Sequence, residues 1–87
     1  MKKHTLDYAD VIVGEELRKK REEKGFTLQQ VADKMSLTRS TIHYYETGEH
    51  SIKWQTLIKI CQVIKVNPYE ILDSAKDRLF KVGYFKE

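Results

Sequence analysis

Between Thr27 and Gly48 the chain reads TLQQVADKMSLTRSTIHYYETG, and its polar side chains fall in an order that suits hydrogen bonding to a surface. At the helical period, Ser40, His43, Tyr44 and Thr47 share one side, with Arg39 at the leading end. Ile42, Tyr45 and Glu46 share the opposite side. Arginine presents a fork of donors, serine and histidine can donate or accept, and tyrosine joins a hydroxyl to an apolar ring. Such side chains on a short helix, propped by an apolar partner, suit the reading of base edges in a DNA major groove.

That helix needs a frame, and the preceding residues supply the first part of it. Thr27 is an N-cap for a helix, and Gln30 stands at the capping-box spacing. Val31, Ala32 and Met35 form its inner side. Ser36-Leu37 breaks the run, and Thr38 caps the next helix. Upstream, Asp10 is the expected cap of a helix reaching Lys24, with Val13, Leu17 and Arg21 in one stripe. Gly25 ends it, free to take positive φ, and Phe26 turns back toward the core.

Downstream, Glu49–Lys53 is a loop, and Trp54, Leu57, Ile60, Cys61 and Ile64 follow helical spacing. Asn67-Pro68-Tyr69-Glu70 starts a last helix, with Asn as N-cap and Pro at the first position, and Ile71 and Leu72 close the core. Residues 1–9 are expected to be an N-terminal arm, 10–73 the domain, and 74–87 a C-terminal extension.

With these residues in register, the sequence resembles the Cro/lambda-repressor-like helix-turn-helix (XRE) family. The marks are Arg21 before Gly25, Val31-Ala32, Thr38-Arg39-Ser40-Thr41-Ile42, Glu46-x-Gly48, and then Leu57 with Ile64-x-Val66. The resemblance implies an all-α, compact five-helix domain that binds double-stranded DNA, usually as a homodimer. It places Arg39, Ser40, His43 and Tyr44 at base edges; Tyr44 has a second reading as a partly buried packing residue. It places Gln29, Thr38, Thr41, Thr47, Ser51 and Lys53 at phosphates. It also favours Arg21 as an inward partner of Glu46 over a surface arginine in the charged run RKKREEK. Three positions depart from the family pattern: Leu28 where glutamine is common, Ser36 where glycine is common, and Ile52 where proline is usual.

Bulk properties bound the alternatives. The 87 residues make one domain with a modest core. Hydrophobic content of 40% and charged content of 33% fit a globular chain rather than a disordered one. No apolar run nears the ~18 residues of a membrane span, and Asp7 and Asp10 interrupt any signal-peptide reading. The net charge of +3 sits mostly in the last fourteen residues, so DNA binding must rest on where charges lie rather than on their sum. The lone Cys61 permits no internal disulfide, and a reducing cytoplasm is the expected setting. His4, His43 and His50 lack metal-ligand spacing, so neither an enzyme nor a cofactor is expected.

The segment SAKDRLFKVGYFKE lies beyond the family pattern and is too apolar for an idle tail. Phe80, Val82 and Tyr84 alternate as in a strand; Ala75, Leu79 and Val82 recur as in a helix. It packs on its own domain or forms a dimer contact with residues 5–13. The resulting expectation is a sequence-specific transcriptional regulator, a repressor in the first instance. The alternative is a protein-interaction module or antitoxin that holds a partner protein through the tail.

Overall fold

The structure, a computed structural model, describes residues 6–85. The start of the expected arm, 1–5, and the last two tail residues lie outside it. Five helices follow one another: α1 (Tyr8–Glu23), α2 (Leu28–Met35), α3 (Arg39–Thr47), α4 (Trp54–Ile64) and α5 (Pro68–Lys81). The described residues contain no strand. The all-α, five-helix expectation is borne out.

Caps set most of the boundaries. Thr27 and Gln30 complete a reciprocal box on α2, with Gln30 N–H to Thr27 Oγ1 at 3.0 Å and Thr27 N–H to Gln30 Oε1 at 2.9 Å. Thr38 Oγ1 accepts from Thr41 N–H at 3.1 Å to open α3, and Asn67 Oδ1 accepts from Tyr69 N–H at 2.9 Å to open α5. The start of α1 differs from expectation. Asp7, not Asp10, is its cap, accepting from Ala9 N–H at 2.7 Å, so α1 begins inside the segment expected to be an arm. The rule behind both choices is the same, an acceptor at Ncap; Asp10 instead lies in the first turn, where its charge suits the helix dipole.

Ser36 and Lys65 both take the left-handed conformation that glycine favours, at φ 56° and 62°. Each lets the next N–H close on the helix it ends, Leu37 on the Ala32 carbonyl and Val66 on the Cys61 carbonyl, both at 2.9 Å. The strain, about 1–2 kcal/mol per residue, is offset by satisfying those carbonyls. The turn between α2 and α3 therefore keeps a glycine-like shape with serine in place.

The core joins Leu17 of α1, Val31 and Ala32 of α2, Ile42 of α3, Leu57, Ile60, Cys61 and Ile64 of α4, and Ile71 of α5. Each large aliphatic so buried contributes about 1.5–3 kcal/mol. Trp54 is not among them: it is 45% exposed at the first position of α4, its ring against Tyr69. A second cluster, Ile12 with Ala75 and Leu79, lays α5 along α1. The expected division at residue 73 thus falls inside one continuous helix, and the strand reading of the tail gives way to a helix whose inner side is Ala75 and Leu79. Tyr84 then returns to donate to Asp7 at 3.1 Å. The tail meets, within its own chain, the residues it was expected to meet across a dimer.

Ion pairs reinforce this packing. Arg78 donates to Glu15 at 2.6 Å and to Glu16 at 2.9 Å, clipping α5 to α1; Glu16 is 2% exposed. Two hydrogen bonds to carboxylates hold the Arg78 guanidinium above its usual pKa.

Candidate nucleic-acid interface

α2 and α3 form a propped pair, and α3 turns its polar row outward. Arg39, Ser40 and His43 are exposed, while Tyr44 and Thr47 are half-buried. The inner side of α3 is held by Ile42, fully buried, and by Glu46. The orientation of α3 is fixed twice over. Gly14 of α1 lies so close that a Cβ there would stand 2.5 Å from the Glu46 carbonyl oxygen. Gly48, at φ 84°, would set a Cβ 2.7 Å from Val11 Cα. Both positions require glycine, one for space and the other for space and conformation.

The second constraint is ionic. Arg21 donates through Nε and Nη2 to the two carboxylate oxygens of Glu46, at 2.7 and 3.0 Å, and through Nη1 to the Phe26 carbonyl at 2.7 Å. Arg21 and Glu46 are 6% and 5% exposed, so neither has water to fall back on. The bond to Glu46 raises the Arg21 pKa against the opposing effect of burial.

The residues expected at phosphates fall into three groups. Lys53 is exposed at the start of α4, and Gln29 is exposed near the start of α2 with its amide on Asp33 at 2.8 Å. Thr38 and Thr41 share a hydroxyl–hydroxyl bond at 2.8 Å at the leading end of α3. Thr47 and Ser51 are engaged elsewhere. The Thr47 hydroxyl donates to the Tyr44 carbonyl at 3.2 Å, inside its own helix turn. The Ser51 hydroxyl donates to the Asp10 carboxylate.

Tyr44 has its ring 4.9 Å from that of His50, forming an aromatic ledge at the far end of α3. Tyr44 is half-buried, with Thr47 one turn on also half-buried. His50 is part of this ledge, although its spacing in the sequence pointed to no role. A cleft of about 230 Å³ runs beside the row, lined by Arg18, Arg21, Leu28, Arg39, His43, Glu46 and Thr47. Arg18 is the residue that sequence reasoning passed over; one arginine in RKKREEK carries no mark that separates it from its neighbours. Among the described residues no three His, Cys, Asp or Glu side chains gather as for a metal, and no helix is long and apolar enough to cross a membrane.

A family model described as helix-turn-helix matches residues 17–71, most of the chain and all of the geometry just given except the start of α1 and the end of α5. The chain belongs to the XRE-type helix-turn-helix family. This family is one of transcription-regulator DNA-binding domains rather than an enzyme class. A Bacillus subtilis (strain 168) protein, described as the uncharacterized HTH-type transcriptional regulator YqaE, is 32% identical over 68 residues, 77% of this chain. This chain spans 59% of the length of that relative. Among solved structures, the clp gene regulator ClgR of C. glutamicum superposes with a TM-score of 0.79 at 20% identity, over 84% of this chain and 95% of its own. The restriction-modification controller protein C.AhdI of Aeromonas hydrophila does so with a TM-score of 0.67 at 29% identity, over 74% and 98%. The resemblance read from the sequence is borne out by the family match and by the shared fold.

Proposed function

We propose that this helix-turn-helix chain is a sequence-specific double-stranded DNA-binding transcriptional regulator that works as a homodimer and represses by occluding a promoter. The observation that carries the reading is the outward row Arg39–Ser40–His43 on a short helix whose angle the buried Arg21–Glu46 pair holds. A protein-docking helix would present apolar anchors there; this one presents hydrogen-bonding groups. Electrostatic capture comes first. Phosphate contacts by Gln29, Thr38, Thr41 and Lys53 then seat the helix pair, and α3 reads base edges through Arg39, Ser40, His43 and Tyr44.

The dimer reading is supported by the outer side of α5. Tyr69, Asp73, Lys76 and Phe80 are all exposed and recur with the spacing of a helix–helix seam. Two such helices, antiparallel and centred between Ser74 and Ala75, set Tyr69 opposite Phe80 and Asp73 opposite Lys76. The seam is its own complement, as a two-fold interface requires. Two recognition helices so joined would read half-sites roughly 34–36 Å apart. The cytoplasm is the setting that fits a DNA-binding chain with a single reduced cysteine.

The test is selection from random duplexes, read by sequencing at two salt concentrations. An enriched palindrome with fixed half-site spacing is the expected result. Binding without enrichment that vanishes at moderate salt would overturn the reading.

A further inference from the structure

Arg18 stands on the outer side of α1 with its side chain 63% exposed, and no part of the core uses it. Among the described residues its one hydrogen bond goes to Glu22 Oε2, at 3.2 Å, one turn along the same helix. Exposed pairs of this kind contribute little to stability, so the guanidinium exchanges partners readily. Its surroundings set it apart from other surface cations. Arg18 lines two adjoining depressions, and Arg39 lines both with it. The deeper one passes His43 and Thr47 on α3; the shallower one passes Thr27, Leu28 and Gln29, the first turn of α2. Arg21 also borders both, but its donors are committed to Glu46 and to the Phe26 carbonyl. Of the three guanidiniums in the groove, only Arg18 and Arg39 are available to a ligand.

A groove that joins an exposed arginine to the first turn of a helix beside a base-reading face offers what a phosphodiester binds: guanidinium donors, positive charge and the N–H groups of a helix start. We infer that Arg18 is a DNA-contacting residue that grips one backbone phosphate at the α1–α2 edge of the interface, while Arg39 faces the bases beside it. Glu22 is its competitor. In the free protein it holds Arg18, and on binding the phosphate takes its place. The inference rests on the DNA-binding reading above and deepens it by adding α1 to the interface.

The experiment measures affinity for the selected duplex across a salt series. Wild type is compared with Arg18→Ala, Glu22→Gln, the double variant, and Lys59→Ala as a charge-matched control, exposed on α4. Arg18→Ala is expected to bind about tenfold more weakly, for all sequences alike, with a salt slope flatter by about one unit. Lys59→Ala should leave that slope near the wild-type value. Glu22→Gln is expected to bind more tightly, and the gain should disappear when Arg18 is absent. A merely structural Arg18–Glu22 pair would lower the melting temperature slightly in both variants and move binding in neither. An Arg18→Ala variant with wild-type slope, or a Glu22→Gln gain that persists without Arg18, would overturn the inference and leave the DNA reading standing. Wild type that shows no salt-dependent duplex binding would instead remove the DNA reading itself, and this inference with it.

Discussion

Arg21 meets Glu46 fork to fork, Nε and Nη2 on the two carboxylate oxygens at 2.7 and 3.0 Å, so the pair fixes an angle as well as a distance. It ties the last full turn of α1 to the inner side of the base-reading helix. Buried pairs of this kind add little net stability, because both ions leave water, yet removing one strands the other. Arg21→Ala should therefore destabilise by about 3–5 kcal/mol, read as a lowered urea midpoint at unchanged m-value. The paired change Arg21→Met with Glu46→Leu should recover most of that loss while relaxing base preference, because α3 is no longer angled by directional bonds. A single variant as stable as wild type would show that the pair holds nothing.

Gly14 of α1 lies directly against the α3 backbone at Tyr45 and Glu46. Alanine is ordinarily the better helix former, by about 1 kcal/mol. Here its Cβ would stand 2.5 Å from the Glu46 carbonyl oxygen, and a backbone atom cannot swing away as a side chain can. Overpacking costs about 1–3 kcal/mol, so Gly14→Ala should destabilise by up to about 2 kcal/mol net and weaken DNA binding. Thermal unfolding decides it: a variant melting at or above wild type would mean that α1 and α3 are less tightly apposed than the structure shows.

Much of this was legible before any coordinates. The caps Thr27, Thr38 and Asn67 act within a turn of themselves, and so does the break at Ser36, which is why sequence reading places α2, α3 and α5 well. The Arg21–Glu46 pair could be named because both residues fall on inward stripes. Three features could not be read. Gly14 looks like a defect in a helix until α3 is laid on it. Glu16 looks like one more surface acid until Arg78, 62 positions later, reaches it. Ser51 shows no partner in the sequence until Asp10, 41 positions earlier, is brought to its hydroxyl. Each depends on a partner remote in sequence that no local period reports. The cap at Asp7 rather than Asp10 is a different matter. Both residues are competent acceptors, and Ala9, packed against the cluster of Ile12, Ala75 and Leu79, favours the longer helix.

Arg39→Ala should cost about 1–3 kcal/mol of affinity and relax the preference at one base pair per half-site. Its position at the leading, exposed end of α3 is where a bidentate contact to guanine O6 and N7 is most accessible. Repeating the duplex selection with the variant checks it; a binding profile identical to wild type would take Arg39 out of the reading set.

The α5 seam predicts a charge swap. Asp73→Lys sets lysine opposite Lys76 twice across the two-fold, and Lys76→Asp sets aspartate opposite Asp73. Each alone should shift sedimentation toward the monomer, and Asp73→Lys with Lys76→Asp should restore the dimer. Phe80→Ala should weaken it without unfolding the chain, since Phe80 is 62% exposed. Truncation at residue 74 is a poor test, because it removes Ala75 and Leu79 from the cluster with Ile12. Unchanged mass in both single charge variants would discard the seam.

Cys61 supplies the pH dependence. Burial pushes its thiol pKa from 9.0 up to about 11, with Glu70 adding to the shift. The folded value lies above the unfolded one, so the neutral thiol is favoured by the fold. Below the unfolded pKa the thiol is protonated in both states, and its contribution is fully present. Between about pH 9 and 11 the unfolded chain gives up its proton while the native one keeps it, and stability falls by about 1.4 kcal/mol per pH unit. Above the folded pKa the native thiol ionises too, and the loss levels off. Urea unfolding at pH 8 and pH 10.5, compared with Cys61→Ala, isolates this effect, because the two proteins differ at residue 61 alone. The alanine variant, starting from a lower stability through its lost packing, should show the shallower fall. Equal falls in the two proteins would mean that the native thiol ionises as freely as the unfolded one, and hence that Cys61 is not sealed within the core formed by α2, α4 and α5.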